Sequence, residues 1–337
     1  ARTGRRTKAL VERLERGDVA IIDHADLDRV AAEALVGAGV VAVLNAAESC
    51  TGRYPNQGPL VLLEAGIRLV DGLGSGIMTA VPEGEVVTVD AADVLVDEMV
   101  IGSGVEQSVE SVEAVHERSR ANLGAEFERF VDNTVEYLDS NLDLLADDLE
   151  IPDVGVDFTD RHVLVVVRGH DYREDLALIG SSGYITEMRP ILVGVDGGAD
   201  ALMELGLTPD VIVGDFDSVS ERALNCGTAL VVHAYPDGRA PGAERLDALG
   251  LAHTSFRASG TSEDIAMLLA YEHGASLIVA VGTHTSMVDF LDKGRSGMAS
   301  TVVTRMKVGP ILVDAKGVSR LYRTQVRKRD LLLLVAA

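Results

Sequence analysis

Four aspartates in the second half of the chain stand where an acid can hold a ligand. Asp196 closes the apolar run Ile191-Leu-Val-Gly-Val and is followed by Gly197 and Gly198. Those glycines allow close backbone approach, and the helix expected after them offers its N-terminus to an anion. Val211-Ile-Val-Gly214-Asp215-Phe216-Asp217-Ser218 repeats the arrangement one unit later. Asp215 and Asp217, two apart in an extended exit, point the same way. Two carboxylates that close repel unless a cation lies between them. Mg²⁺ suits that place, since it takes one or two carboxylates, waters and phosphate oxygens, and Asp196, Asp215 and Asp217 are its candidate ligands. The third element is Gly260-Thr261-Ser262-Glu263-Asp264. Thr261 reads as a helix N-cap with Asp264 at N3, where capping competes with a ligand role for the acid. Each motif alone is a weak signal. Four acids at three strand exits of one sheet point together to a Mg²⁺-bound nucleotide or pyrophosphate.

The elements that must position these acids can be read from hydrophobic pattern. Val163–Val167, Ile191–Val195, Val211–Val213, Leu230–Val232 and Leu277–Val281 are short runs, apolar on both faces and separated by helical patterns. They predict a parallel sheet covered by helices on both faces, a fold that binds ligands at the carboxyl ends of its strands. This α/β domain spans 155–315. A smaller α/β domain with a basic leader precedes it over 1–100, with strands expected at Val19–Ile22, Val40–Leu44, Ile67–Val70 and Val86–Val89. A helix is expected over Leu27–Val36, ended by Gly37 and Gly39. The loop from Asn45 to Pro59 is too polar to be core; it is an ordinary surface loop or a ligand loop in which Arg53 faces an anion. Residues 101–154 form an acidic helical linker: 101–150 holds thirteen acidic residues and three arginines. Apolar residues three or four apart run from Val105 through Phe127 and Leu138 to Leu142, Leu145 and Leu149 as one stripe. Gly124 breaks it into two helices, and the stripe packs on this chain's own domains or joins a second copy.

The net charge of −23 repels phosphate backbones and argues against nucleic acid as a partner. Cys50 and Cys226 are far apart and outside any metal-ligand spacing, which fits a reducing compartment. No apolar signal segment opens the chain. Residues 316–337 combine Lys316, Arg320, Arg323, Arg327, Lys328 and Arg329 with the apolar run Leu331–Ala337. Seven residues cannot span a bilayer, but basic residues ahead of an apolar run are what precedes a membrane helix. The expectation is a single C-terminal anchor continuing beyond this chain, with the domains at the cytoplasmic face of the plasma membrane.

Asp196-Gly197-Gly198, Gly214-Asp215-Phe216-Asp217-Ser218 and the acid of Ser262-Glu263-Asp264 resemble the thiamin pyrophosphokinase catalytic domain. The resemblance implies that Asp196, Asp215, Asp217 and Asp264 hold Mg²⁺ and the phosphates of a nucleotide such as ATP. It also implies that Arg168, Gly197, Gly198, Ser218 and Thr261 line the nucleotide site. The family's later Gly-Gly-Arg and Asp-His segment is replaced by Gly282–Gly297, from which His284, Lys293 and Arg295 are candidate cations for phosphates. Over nearly its whole length the chain is similar to an actinobacterial family of cytokinetic-ring proteins, the SteA family. Gly17–His24, Ser49–Pro59, Val165–Gly169, Val232–Pro241 and Leu291–Arg295 carry that likeness. It implies a membrane-tethered protein of cell separation acting with a membrane division partner of SteB type, while the kinase likeness implies a homodimer. Two functions follow as expectations: a division protein that keeps a nucleotide site, or an active pyrophosphokinase for thiamin or another hydroxymethyl compound.

Overall fold

The computed structural model of the chain describes residues 1–140, 150–284 and 298–321. Lys293, Arg295, the stripe positions Leu142, Leu145 and Leu149, and the basic-to-apolar run from 322 onward lie outside the described residues. The chain forms two compact units, Ala1–Ser140 with His284–Ala299 and Asn141–Thr283 with Ser300–Ala337. Among the described residues no helix is long and apolar enough to cross a membrane.

In the first unit β1 (Arg2–Gly4), β2 (Val19–Ile22), β3 (Ala42–Asn45) and β4 (Arg68–Asp71) are parallel neighbours. After β5 (Thr88–Asp90), β6 (Asp93–Val96) and β7 (Met99–Ser103), which make a separate antiparallel sheet, β8 (Val105–Glu106) returns antiparallel to β4. Residues expected to open a helical linker are therefore strand: Ile101, Gly102 and Ser103 finish β7, which pairs with β6, and Val105 and Glu106 form β8. The helix begins at Val109, behind the capping box of Ser108 and Ser111. A 3₁₀ turn at Arg120–Asn122 separates it from the helix Leu123–Ser140. Two helices were expected, but the break falls before Gly124, which sits in the first turn of the second. The helix Arg29–Ala38 ends on Gly39 at φ +73°, a left-handed cap that glycine adopts without strain.

The second unit holds seven parallel strands: β9 (His162–Val166), β10 (Ile191–Val195), β11 (Val211–Gly214), β12 (Ala229–Ala234), β13 (Thr254–Arg257), β14 (Leu277–Val281) and β15 (Leu312–Asp314). Their spatial order is β13-β12-β11-β10-β9-β14-β15. All five residues of β10 and all four of β11 are buried. Successive strand residues face opposite sides, so this burial means helices cover both faces. One of them, Ser262–Glu272, is buried from Glu263 to Ala270 and packs on β9, β10, β11 and β14. The chain walks outward from β9 to β13 and then returns to β14 on the other side of β9. Strand exits around such a reversal are where open α/β sheets hold ligands.

Candidate functional site

Asp196, one residue past β10, adopts φ +46°. Its Oδ1 accepts the Phe216 amide at 3.0 Å, which aims the carboxylate across the mouth of β11. A Cβ on Gly214 would lie 1.9 Å from that same oxygen, and one on Gly198 would lie 1.9 Å from the Val166 carbonyl oxygen. The backbone approach at Gly198 excludes any side chain there, whereas at Gly214 a Cβ would displace the Asp196 carboxylate.

Asp215 and Asp217 do come together, but by another route than an extended exit. Phe216 takes the left-handed conformation at φ +58° and turns its ring wholly into the core. Burial of the ring offsets the backbone cost, of order 1–2 kcal/mol, of placing a non-glycine residue there. The turn brings the Asp217 amide to Asp215 Oδ1 at 3.1 Å. Arg245 clasps it from below, donating to the Phe216 carbonyl and, at 2.8 Å, to the Val219 carbonyl. Sequence reasoning did not find Arg245, because its partners are backbone oxygens that no motif advertises.

Asp196, Asp215 and Asp217 each offer an oxygen, and these oxygens all lie within 4.8 Å of one another. An octahedral Mg²⁺ with oxygens at about 2.1 Å spans about 4.2 Å between opposite ligands, so a small side-chain adjustment suffices for one ion to bridge the three. The buried Ser218 hydroxyl beside them has no hydrogen-bond partner among the described residues, which leaves it able to serve a phosphate oxygen. The donor set, carboxylates and a hydroxyl, is that of a hard divalent cation.

Asp264 stands apart from this trio. It is fully buried, and its Oδ2 accepts the Thr261 amide at 2.8 Å, the Thr261 hydroxyl at 3.0 Å and the hydroxyls of Ser300 at 2.6 Å and Thr301 at 3.2 Å. Burial pushes its carboxyl up to about 6, with the Glu263 charge adding to the rise. Its Oδ1 is buried without a hydrogen-bond partner among the described residues. The structure gives Asp264 and Thr261 the capping-box role that the sequence left open.

Arg168 follows β9 and lays its side chain against Gly197, with Glu204 at 3.7 Å. Its Nε is buried with no hydrogen-bond partner among the described residues. That puts a guanidinium beside the Asp196-Gly197-Gly198 turn. His284 follows β14 and Thr283 and belongs to the first unit.

The polar loop after β3 is not a surface loop in the ordinary sense. Asn45, Ser49, Tyr54 and Asn56 are fully buried. The Ser49 hydroxyl donates to Asp71 Oδ1 at 2.6 Å and its amide to Oδ2 at 3.1 Å, while the Asn45 amide group donates to that hydroxyl at 2.7 Å. Arg53 stacks over Tyr54 at 5.0 Å and lies 3.5 Å from Glu126 and 4.0 Å from Asp26. Arg53 therefore faces acids, and the loop's polarity is spent inside the fold. Buried polar groups are tolerated because they bond one another.

A sequence profile of the thiamin pyrophosphokinase catalytic domain matches residues 184–237. The stretch runs from the helix Tyr184–Met188 past β12 and contains all three clustered aspartates. Among solved structures, the crystal structure of thiamine pyrophosphokinase from Bacillus subtilis aligns with 45% of this chain at 24% identity and a TM-score of 0.27. The chain spans 60% of that enzyme's length. No curated protein matches the chain.

Proposed function

We propose that the second unit is a Mg²⁺-nucleotide or pyrophosphate binding domain of thiamin pyrophosphokinase type, carried by a membrane-tethered cytoplasmic protein of actinobacterial cell division. The observation that carries the first half is the convergence of Asp196, Asp215 and Asp217 within 4.8 Å, inside the segment that the kinase profile matches. Those carboxylates would hold the ion, which neutralises and aligns the phosphate oxygens. Arg168 supplies a second cation at the Gly197 turn, the Ser218 hydroxyl donates to a phosphate oxygen, and Arg245 keeps the turn in register. Asp264 is proposed as the residue that holds the Thr261 loop at the site's edge.

The cell-division half rests on likeness of sequence: Val232–Pro241, Ser49–Pro59 and Leu291–Arg295, with the basic run and apolar Leu331–Ala337 as the start of a membrane anchor. A SteB-type membrane protein is the proposed partner. The exposed face of the helix Leu123–Ser140, where Phe127, Val131 and Val135 are 46%, 40% and 52% exposed, is the proposed surface for a homodimer. Fractionating cells that express the natural full-length protein tests the tether, and recovery in the soluble fraction would sink it.

Retention of the acidic trio favours a second reading, an active pyrophosphokinase for thiamin or another hydroxymethyl compound. Calorimetry with Mg²⁺-ATP on the chain and on an Asp215→Ala, Asp217→Ala variant separates the two. Binding to the parent alone, without AMP release when thiamin is added, supports a binding domain. AMP release that needs both aspartates supports the kinase, and equal heats for both proteins would remove the nucleotide reading.

A further inference from the structure

The turn after β12, which neither the metal trio nor the capping box uses, carries an aromatic and cationic stack beside the acids. β12 adjoins β11, so its exit is one strand spacing, about 4.8 Å, from that of Asp215. The helix that follows keeps the two exits close: a Cβ on Gly242 would lie 2.7 Å from the Asp215 carbonyl oxygen. Tyr235 lies 5.3 Å from His233 with the two rings tilted at 52°, and the Arg239 guanidinium lies 5.2 Å over the Tyr235 ring. The Tyr235 amide bonds to the Arg239 carbonyl at 2.8 Å, closing the turn, and Asp237 holds the Arg239 Nε at 2.6 Å. Arg257, on the neighbouring strand, reaches the same turn at Gly238.

The outermost layer of this stack is a guanidinium plane whose side chain is 73% exposed. An exposed Arg–Asp pair contributes little to folding. What the pair does is fix the plane of Arg239, which lowers the cost of laying another flat group on it. A guanidinium already stacked on one aromatic ring accepts a second on its free face, as arginine does with nucleobases.

We propose that Tyr235 and Arg239 form the base subsite of the nucleotide whose phosphates lie at Asp196, Asp215 and Asp217, so that the site takes a nucleoside polyphosphate in preference to bare pyrophosphate. This rests on the Mg²⁺-phosphate reading above and adds to it the part of the ligand that carries identity.

The test compares Mg²⁺-ATP with Mg²⁺-tripolyphosphate, which has the phosphates and no base, by calorimetry on the full chain. The parent should bind ATP about tenfold more tightly, the scale of stacking one base. Arg239→Ala should bring ATP down to the tripolyphosphate level while leaving tripolyphosphate within about twofold. Arg239→Lys, which keeps the charge and loses the plane, should behave as Arg239→Ala does. Equal affinity of the parent for both ligands overturns the inference, as does an equal loss for both on substitution, which would make Arg239 a phosphate contact. Mg²⁺-dependent binding of neither ligand overturns the underlying phosphate reading, and this inference with it.

Discussion

Asp196 has little freedom of direction: the Phe216 amide holds one oxygen, and the bare face of Gly214 leaves room for it. Gly214→Ala would put a methyl 1.9 Å from that oxygen and force the carboxylate out of the trio. Mg²⁺-dependent nucleotide affinity should then fall at least tenfold, with circular dichroism unchanged, and calorimetry checks both. Arg245→Met should weaken the same binding severalfold by loosening the turn at Phe216, although Arg245 touches no ligand. At Asp71 the consequence is pH-dependent stability. Burial raises its carboxyl from 3.8 to about 6, so the folded state favours the protonated form. The associated stability is complete below the ordinary value near 4 and is lost as pH climbs through about 6, a change of roughly 3 kcal/mol. Melting of the first unit should therefore fall by several degrees between pH 4.5 and 7, and Asp71→Asn should flatten that dependence. An unchanged slope in the variant would mean that another group sets it.

β10 and β14 could be read from the sequence to the residue, because each is an unbroken apolar run that only a strand buried on both faces explains. β13 and β15 could not. Thr254-Ser-Phe-Arg buries only Phe256, and Leu312-Val-Asp buries none of its residues fully; edge strands need no apolar run, so pattern cannot reveal them. The same holds for β1 and β8. The aspartates were legible as strand-exit acids, yet their geometry was not: the left-handed Phe216 has no signature in composition, and the Arg245 clasp depends on a helix that arrives from the next β-α unit. The buried loop after β3 was misread because its hydrogen bonds are long-range, Ser49 to Asp71 above all. Asp175 shows a further such contact. Fully buried on the helix Tyr172–Ser181, it accepts the amides of Gly317 at 2.6 Å and Ser319 at 2.8 Å. Asp175→Ala should cost about 2–3 kcal/mol by stranding those amides, and hydrogen exchange at Ser319 should speed up markedly while the β10 amides stay protected.

At the scale of the whole molecule, a chain of charge −23 that draws acids together needs cations to close the site, so occupancy should depend on divalent metal more than on ionic strength. Nucleic acid should not bind at physiological salt, and fluorescence anisotropy with a labelled duplex checks this. Under the proposed function one divalent ion sits between Asp196, Asp215 and Asp217 with phosphate attached. Anomalous scattering from crystals grown with Mn²⁺ and ATP tests it most directly. A metal peak is expected among those three carboxylates, in contact with a phosphate oxygen. A nucleotide bound elsewhere, or bound with no metal at the trio, would contradict it.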